Sequence, residues 1–220
     1  SIYCFDLDGT IFDSLNGIYN SLEYACDKFN LKLISKKNFK EYIGPPIKSY
    51  IKSVITSSIN DKLINQIISE FRIHHDKEGY KYYSIYPNMI DILSLLKKEN
   101  NLIILTNKPY KITSRSIKYF KKEKFFKEVL CPDKSSIFLQ GWTKGDIKSK
   151  SNYLKYIERN TAKKIKKYFV GDTISDYYAT KENSFEFIYA SYGYGKELKF
   201  KDLHRIKKPL DLSKFLKNES

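Results

Sequence analysis

Apolar positions in this chain fall into two kinds of run: short and solid, or spaced by three and four. Residues 2–7 form a solid run with β-branched and aromatic members, and it stops at Asp8-Gly9-Thr10. That pattern predicts a buried strand entering a turn. The chain is expected to turn directly after Asp6, with Gly9 supplying the backbone freedom. Leu15, Ile18, Leu22, Ala25, Cys26 and Phe29 then recur at helical spacing, with Ser14 as the predicted N-cap. Further helices are predicted over 38–43, ended by Gly44-Pro45-Pro46, over 47–55, and over 63–71 with Asn60 or Asp61 at its start.

From Pro87 the rhythm changes. Helical spacing over 89–96 leads to a strand over 102–105 that ends at Thr106-Asn107. A helix over 112–121, a strand over 129–130 and a helix over 151–159 follow. A strand over 168–170 ends at Gly171-Asp172, and after it come a helix over 174–181, a strand over 185–189 and a last helical stretch near 212–216. Strand and helix in alternation imply a parallel sheet with helices on both faces. The helical block near the start interrupts that alternation. The expected fold is therefore α/β: a Rossmann-like, doubly wound parallel sheet built from 1–13 and 85–220, with an inserted helical cap domain over 14–84. Residues 133–145, which include Trp142, carry no assignable pattern.

Composition narrows the function classes. No apolar run approaches the roughly 18 residues of a membrane span. The first run has no basic flank and no small-residue cleavage site, so it is not a signal peptide. Cys4, Cys26 and Cys131 are odd in number and dispersed, which disfavours a disulfide framework and fits a reducing cytoplasm. The net charge of +15 raises the possibility of a nucleic-acid partner. The lysines are spread along the chain, however, and the clusters at Lys121–Lys124 and Lys163–Lys167 sit near predicted helix ends, where cations favour the dipole. Nucleic acid is accordingly disfavoured, while the positive charge would help attract a small anionic substrate. His74 and His75 lack a third ligand nearby and read as a solvated or core pair, and His204 as a surface residue.

Three predicted strand ends carry polar residues: Asp6 and Asp8, Thr106 and Asn107, and Asp172 with Asp176 one helical turn later. In an open parallel sheet the carboxyl ends of the strands share one edge, where ligands bind. Carboxylates gathered there repel one another unless a cation lies among them, and oxygen-only ligands suit Mg²⁺.

Taken together, these segments resemble the haloacid dehalogenase (HAD) superfamily of phosphohydrolases over essentially the whole chain. Phe5-Asp6-Leu7-Asp8-Gly9-Thr10 matches the first motif, Leu105-Thr106-Asn107-Lys108 is similar to the second, Lys150 at a helix start to the third, and Gly171-Asp172-Thr173-Ile174-Ser175-Asp176 to the fourth. Lys144 and Lys148 are rivals to Lys150. The helical block between the first two motifs, with Ile43-Gly44-Pro45-Pro46 inside it and Tyr86-Pro87-Asn88 after it, resembles the phosphoglycolate phosphatase group. Lys108-Pro109 after the second motif departs from the pattern and is expected to alter the loop beside the phosphate.

The resemblance implies a Mg²⁺-dependent phosphatase for a small phosphorylated metabolite. Asp6 would be the nucleophile and Asp8 the acid and base, with Thr106, Asn107 and Lys150 on the phosphate. Mg²⁺ would bind the Asp6 carboxylate, the Asp8 backbone carbonyl and Asp172, while Asp176 would bind it through water or orient Lys150. Two alternatives stand beside this expectation: a phosphosugar mutase of the same superfamily, and a catalytically weak HAD-like domain used as a basic binding module. Gly193-Tyr194-Gly195 is expected to form a turn near the site.

Overall fold

Side chains alternate across β1 (Ile2–Phe5), and the strand is buried on both faces. Tyr3 and Phe5 enter one apolar cluster, and Ile2 and Cys4 enter another. The remaining strands of the main sheet are β4 (Asn101–Leu105), β5 (Glu128–Leu130), β6 (Lys167–Gly171), β7 (Glu186–Ala190) and β8 (His204–Ile206). In the computed structural model, which describes residues 1–133, 149–200 and 203–216, they line up in the order β5-β4-β1-β6-β7-β8, and every neighbouring pair is parallel.

One face of this sheet is covered by α5 (Met89–Leu96), α6 (Tyr110–Tyr119) and the 209–215 segment, through Ile92, Leu93, Leu96, Ile117 and Leu212. The other is covered by α7 (Lys150–Arg159) and α8 (Ile174–Thr180), through Tyr153, Leu154, Ile157 and Ala179. Each fully buried side chain of this size stabilises the fold by about 1.5–3 kcal/mol relative to exposure. The result is the doubly wound α/β arrangement, with β1 at the point where the strand order reverses.

Between β1 and α5 the chain makes α1 (Leu15–Asp27), α2 (Lys36–Phe39), α3 (Ile47–Val54) and α4 (Asp61–Lys77). Their apolar faces, among them Leu22, Ile51, Ile67 and Phe71, form a third cluster. Asn60 caps α4 by accepting from the Leu63 N–H at 2.9 Å. The chain leaves for these helices at β2 (Phe12–Asp13) and returns at β3 (Ser84–Ile85), and these two short strands pair antiparallel. The exit and the return therefore lie side by side.

Several details differ from the pattern-based expectations. The first strand stops at Phe5, because Leu7 already serves the turn: its carbonyl accepts from the N–H groups of Thr10, Ile11 and Phe12. Ser14 makes no side-chain cap, and its buried hydroxyl oxygen has no partner among the described residues. The Leu15 N–H at the helix start donates to the Tyr194 hydroxyl at 2.9 Å and to Asp13. Strand β8 and the β2–β3 pair escaped prediction, since runs of two or three residues show no period. His75 is buried, His74 is half-buried on Ser21, and His204 is exposed. Trp142, Lys144 and Lys148 lie outside the described residues. No helix among the described residues is long and apolar enough to cross a membrane.

Candidate active site

Asp6 is the first residue after β1, and its N–H donates to the Val170 carbonyl of β6 at 2.9 Å. Thr106 follows β4 and Asp172 follows β6, so three adjacent strands deliver their polar ends to one edge. The turn after Asp6 depends on Gly9 in two ways. Its φ is +82°, and a Cβ there would lie 2.2 Å from Asp172 Oδ2. The turn anticipated from sequence is present, and the glycine also makes room for a site carboxylate.

Lys150 opens α7, behind an N-cap Ser149 that accepts from the Asn152 N–H. Its Nζ lies 2.8 Å from Asp6 Oδ1 and 2.6 Å from Asp176 Oδ1, with only 7% of the side chain exposed. Asp176 is wholly buried and both of its oxygens are engaged. Oδ1 accepts from Lys150, and Oδ2 accepts from the N–H and the hydroxyl of Thr173 in a capping box. These contacts tie Asp176 to Lys150, and its carboxylate also stands in the acidic group with Asp6 and Asp172.

Asp172 is held differently. Its Oδ2 accepts from the backbone N–H groups of Tyr194 at 2.7 Å and Gly195 at 3.3 Å, whereas Oδ1 is buried with no hydrogen-bond partner among the described residues. Gly193 must be a glycine for this approach, because a Cβ would sit 2.3 Å from the Asp172 Cβ. The Gly193-Tyr194-Gly195 turn thus lies against the site. The role of Tyr194 had a visible signal in those flanking glycines.

Around this centre the other residues take distinct positions. Asp8 Oδ1 accepts from Lys108 Nζ at 2.7 Å. Thr106 is buried, and its hydroxyl accepts from the Lys108 N–H at 3.2 Å. Asn107 donates to the Gly44 carbonyl at 3.4 Å, reaching across to the helical segment. Lys108 is the residue that motif matching underrated: the departure it represents places an ammonium on the second aspartate. A cavity of about 170 Å³ opens over these groups, floored by Asp6, Asp8 and Thr106 and roofed by Tyr50, Arg72 and Lys48.

Carboxylate oxygens of Asp6, Asp172 and Asp176 all lie within 4.8 Å of one another. Burial, opposed by Lys150 and reinforced by Asp176 and Asp8, raises the Asp6 carboxyl to about 7. Asp172 is pushed well above the usual carboxylate range by burial, then by Asp6 and Asp176. Burial alone would lower the Lys150 ammonium, but Asp176 and Asp6 outweigh it and raise the net value. The Lys150 ammonium thus pairs with two of the three clustered carboxylates, Asp6 and Asp176. An oxygen-lined site with excess negative charge and an unsatisfied Asp172 oxygen fits a hard divalent cation.

Comparison with known proteins agrees with this geometry. Over 219 residues the chain is 26% identical to a phosphoglycolate phosphatase of Aquifex aeolicus (strain VF5), covering 99% of this chain and 97% of that one. It is 26% identical over 130 residues to the pyrophosphatase PpaX of Oceanobacillus iheyensis, covering 59% of this chain and 58% of that one. A solved structure of a haloacid dehalogenase-like family hydrolase from Streptococcus pneumoniae superposes with a TM-score of 0.83 at 21% identity, over 98% of both chains. The model of the haloacid dehalogenase-like hydrolase family matches residues 3–190, and the chain belongs to that family. Within it the protein is a HAD-type phosphatase, a phosphoric monoester hydrolase.

Proposed function

We propose that this phosphatase hydrolyses a small phosphate monoester of the phosphoglycolate type, with Mg²⁺, through an aspartyl phosphate on Asp6. The observation that carries the proposal is the pairing of Lys150 with Asp6 beside the unpartnered Asp172 oxygen. The carboxylates of Asp6 and Asp172 and the backbone carbonyl of Asp8 would hold the cation. Bound Mg²⁺ supplies neutralising charge and Lewis-acid polarisation of the phosphoryl oxygens.

In the first step an Asp6 oxygen bonds to phosphorus and the ester P–O bond breaks, while Asp8 delivers a proton to the departing alkoxide. In the second step Asp8 takes a proton from water, the water oxygen bonds to phosphorus, and the Asp6–phosphorus bond breaks to free phosphate. Lys150, Thr106 and Asn107 serve the non-bridging oxygens, where charge builds up. The ammonium is pre-positioned by Asp176, so little reorganisation accompanies the reaction.

The helices of 14–84 act as the cap of this site, and the size of the cavity limits the leaving group. At about 170 Å³ it is well below the roughly 300–1,000 Å³ of sites for larger ligands. Arg72 and Lys48 on the cap side favour a leaving group that carries its own anion. The kinship with phosphoglycolate phosphatases points the same way.

A panel of phosphorylated metabolites assayed with Mg²⁺ and with a chelator tests this directly. Mg²⁺-dependent phosphate release is expected for compact, acid-bearing esters. Asp6→Asn should abolish it while leaving the circular-dichroism spectrum intact, and undiminished turnover in that variant would overturn the mechanism.

A further inference from the structure

A line of buried polar groups connects the helical segment to Asp8. Lys108 Nζ donates to Asp8 Oδ1 at 2.7 Å and to Tyr83 Oη at 2.7 Å. Tyr83 Oη meets His75 Nε2 at 2.5 Å. The Lys108 and Asp8 side chains are only 6% and 13% exposed, and Tyr83 and His75 are buried. Three separate parts of the fold contribute: α4, the residue before β3, and the loop after β4.

The direction of each bond follows from the lysine. An ammonium has donors and no acceptor. Tyr83 Oη therefore accepts from Lys108, which leaves its own proton to donate, and His75 Nε2 must be the acceptor. His75 is neutral, with its proton on Nδ1. Burial, then Lys108 and His74, hold it well below the usual histidine range, in agreement.

Packing fixes the line in place. The ammonium lies 4.4 Å from the centroid of the Tyr83 ring, and His75 stacks on Phe71 with centroids 4.9 Å apart. Two glycines make room for the rings. A Cβ at Gly79 would lie 2.2 Å from His75 Cδ2, and a Cβ at Gly17 would lie 2.5 Å from the Tyr83 ring. A free lysine head samples many rotamers, but this one has two hydrogen-bond partners and an aromatic face.

We propose that Lys108 is a positioning residue that holds the Asp8 carboxylate for proton transfer, and that Tyr83 and His75 hold Lys108. The proposal rests on the assignment of Asp8 as acid and base. Its consequence is that the helical segment reaches the proton-transfer group through three side chains.

The test uses leaving-group dependence in the Mg²⁺-loaded enzyme. Proton delivery matters for an alkyl phosphate and matters little for 4-nitrophenyl phosphate, whose leaving group is a weak base. Lys108→Met is expected to lower kcat/KM for the alkyl ester by about 10²-fold, the usual scale of a misplaced proton donor, and far less for the aryl ester. Tyr83→Phe should show the same pattern more weakly, and Lys108→Arg should restore part of the loss. The Lys108→Met/Asp8→Asn double variant should be no worse than Asp8→Asn alone. Equal losses for both esters, additive losses in the double variant, or a raised KM at unchanged kcat would each overturn the proposal. If Asp8→Asn is itself fully active, the acid–base assignment fails. If Asp8→Asn is impaired and Lys108→Met is not, only the positioning role falls.

Discussion

Lys150 Nζ stands 2.8 Å from Asp6 Oδ1, so the nucleophile of the proposed reaction carries its countercharge before any substrate arrives. That ammonium would shift its attention to the phosphoryl oxygens as charge moves onto them. Lys150→Ala is expected to lower kcat by about 10²–10³-fold, as removal of one transition-state donor does in other hydrolases. Asp176→Asn leaves the lysine with Asp6 alone, and a smaller loss is expected. Steady-state kinetics on one good substrate checks both, and a Lys150→Ala variant with normal kcat would remove the residue from the site.

The second prediction concerns metal and pH together. Asp6 is raised from an ordinary 3.8 to about 7, with burial as the largest cause. As pH rises between these values the unfolded chain ionises at this residue while the folded chain retains the proton. The stability contributed by the neutral carboxyl is full below the lower value and is lost as pH rises through the upper one. A divalent cation prefers the ionised carboxylates and so offsets the loss. The rise in Tm on adding Mg²⁺ should be larger near pH 8 than at about pH 5.5, and the stabilisation free energy behind it reaches about 2.7 kcal/mol when the ion is at 100 times its Kd. Asp172→Asn should remove most of that rise. Thermal melts at two pH values decide the matter, and an equal shift at both would contradict it.

Long-period features of this chain were legible before its structure. Solid apolar runs ending in Asp6, Thr106 and Asp172 marked three strands, and helix–strand alternation implied that their ends meet. Lys150 is singled out in the sequence by its position at a helix start, and in the structure its Nζ pairs with Asp6. Shorter and longer-range features were not legible. The β2–β3 pair is too brief to show a period. Ser14 ranks as a cap by local rules, yet its side chain makes no cap bond, and the N–H groups of Ser14 and Leu15 at this helix start are met by Tyr194, about 180 residues away. Lys108 was noticed as a departure, but its bond to Asp8 spans 100 residues and is set by how β1 and β4 lie side by side. Local pattern encodes elements; partners across the sheet edge arise only once the strands pair.

Tyr194 supplies the third prediction. Its hydroxyl accepts from the N–H groups of Ser14 and Leu15 and donates to Asp13 Oδ1 at 2.6 Å, while its own backbone N–H holds Asp172. Tyr194→Phe removes the first set and spares the second. Ser14 N–H is then left buried without its partner, which costs about 1–3 kcal/mol. The expected outcome is a lower urea midpoint with kcat within a few-fold of normal. A collapse of kcat at unchanged stability would mean that the hydroxyl acts on the reaction rather than on the start of α1.

The last prediction tests the backbone rather than a polar side chain. Gly9 has φ of +82°, where a non-glycine residue costs roughly 1–3 kcal/mol. Gly9→Ala would add a clash, since the new Cβ would meet Asp172 Oδ2 at 2.2 Å and the Tyr194 ring at 2.9 Å. Asp172 cannot retreat easily, because its other oxygen is buried and its Oδ2 is tied to two backbone N–H groups. Gly9→Ala is therefore expected to lose both stability and the Mg²⁺-induced rise in Tm, although no charged or hydrogen-bonding side chain has been changed. Gly44→Ala is the matched comparison: its φ of +127° is also strained, but among the described residues the added Cβ would approach just Thr173 Cγ2, at 3.1 Å. That variant should lose stability yet keep the metal-dependent rise. If the two alanine variants lose the metal response equally, backbone strain alone accounts for the effect, and the close approach of Gly9 to Asp172 plays no part in shaping the site.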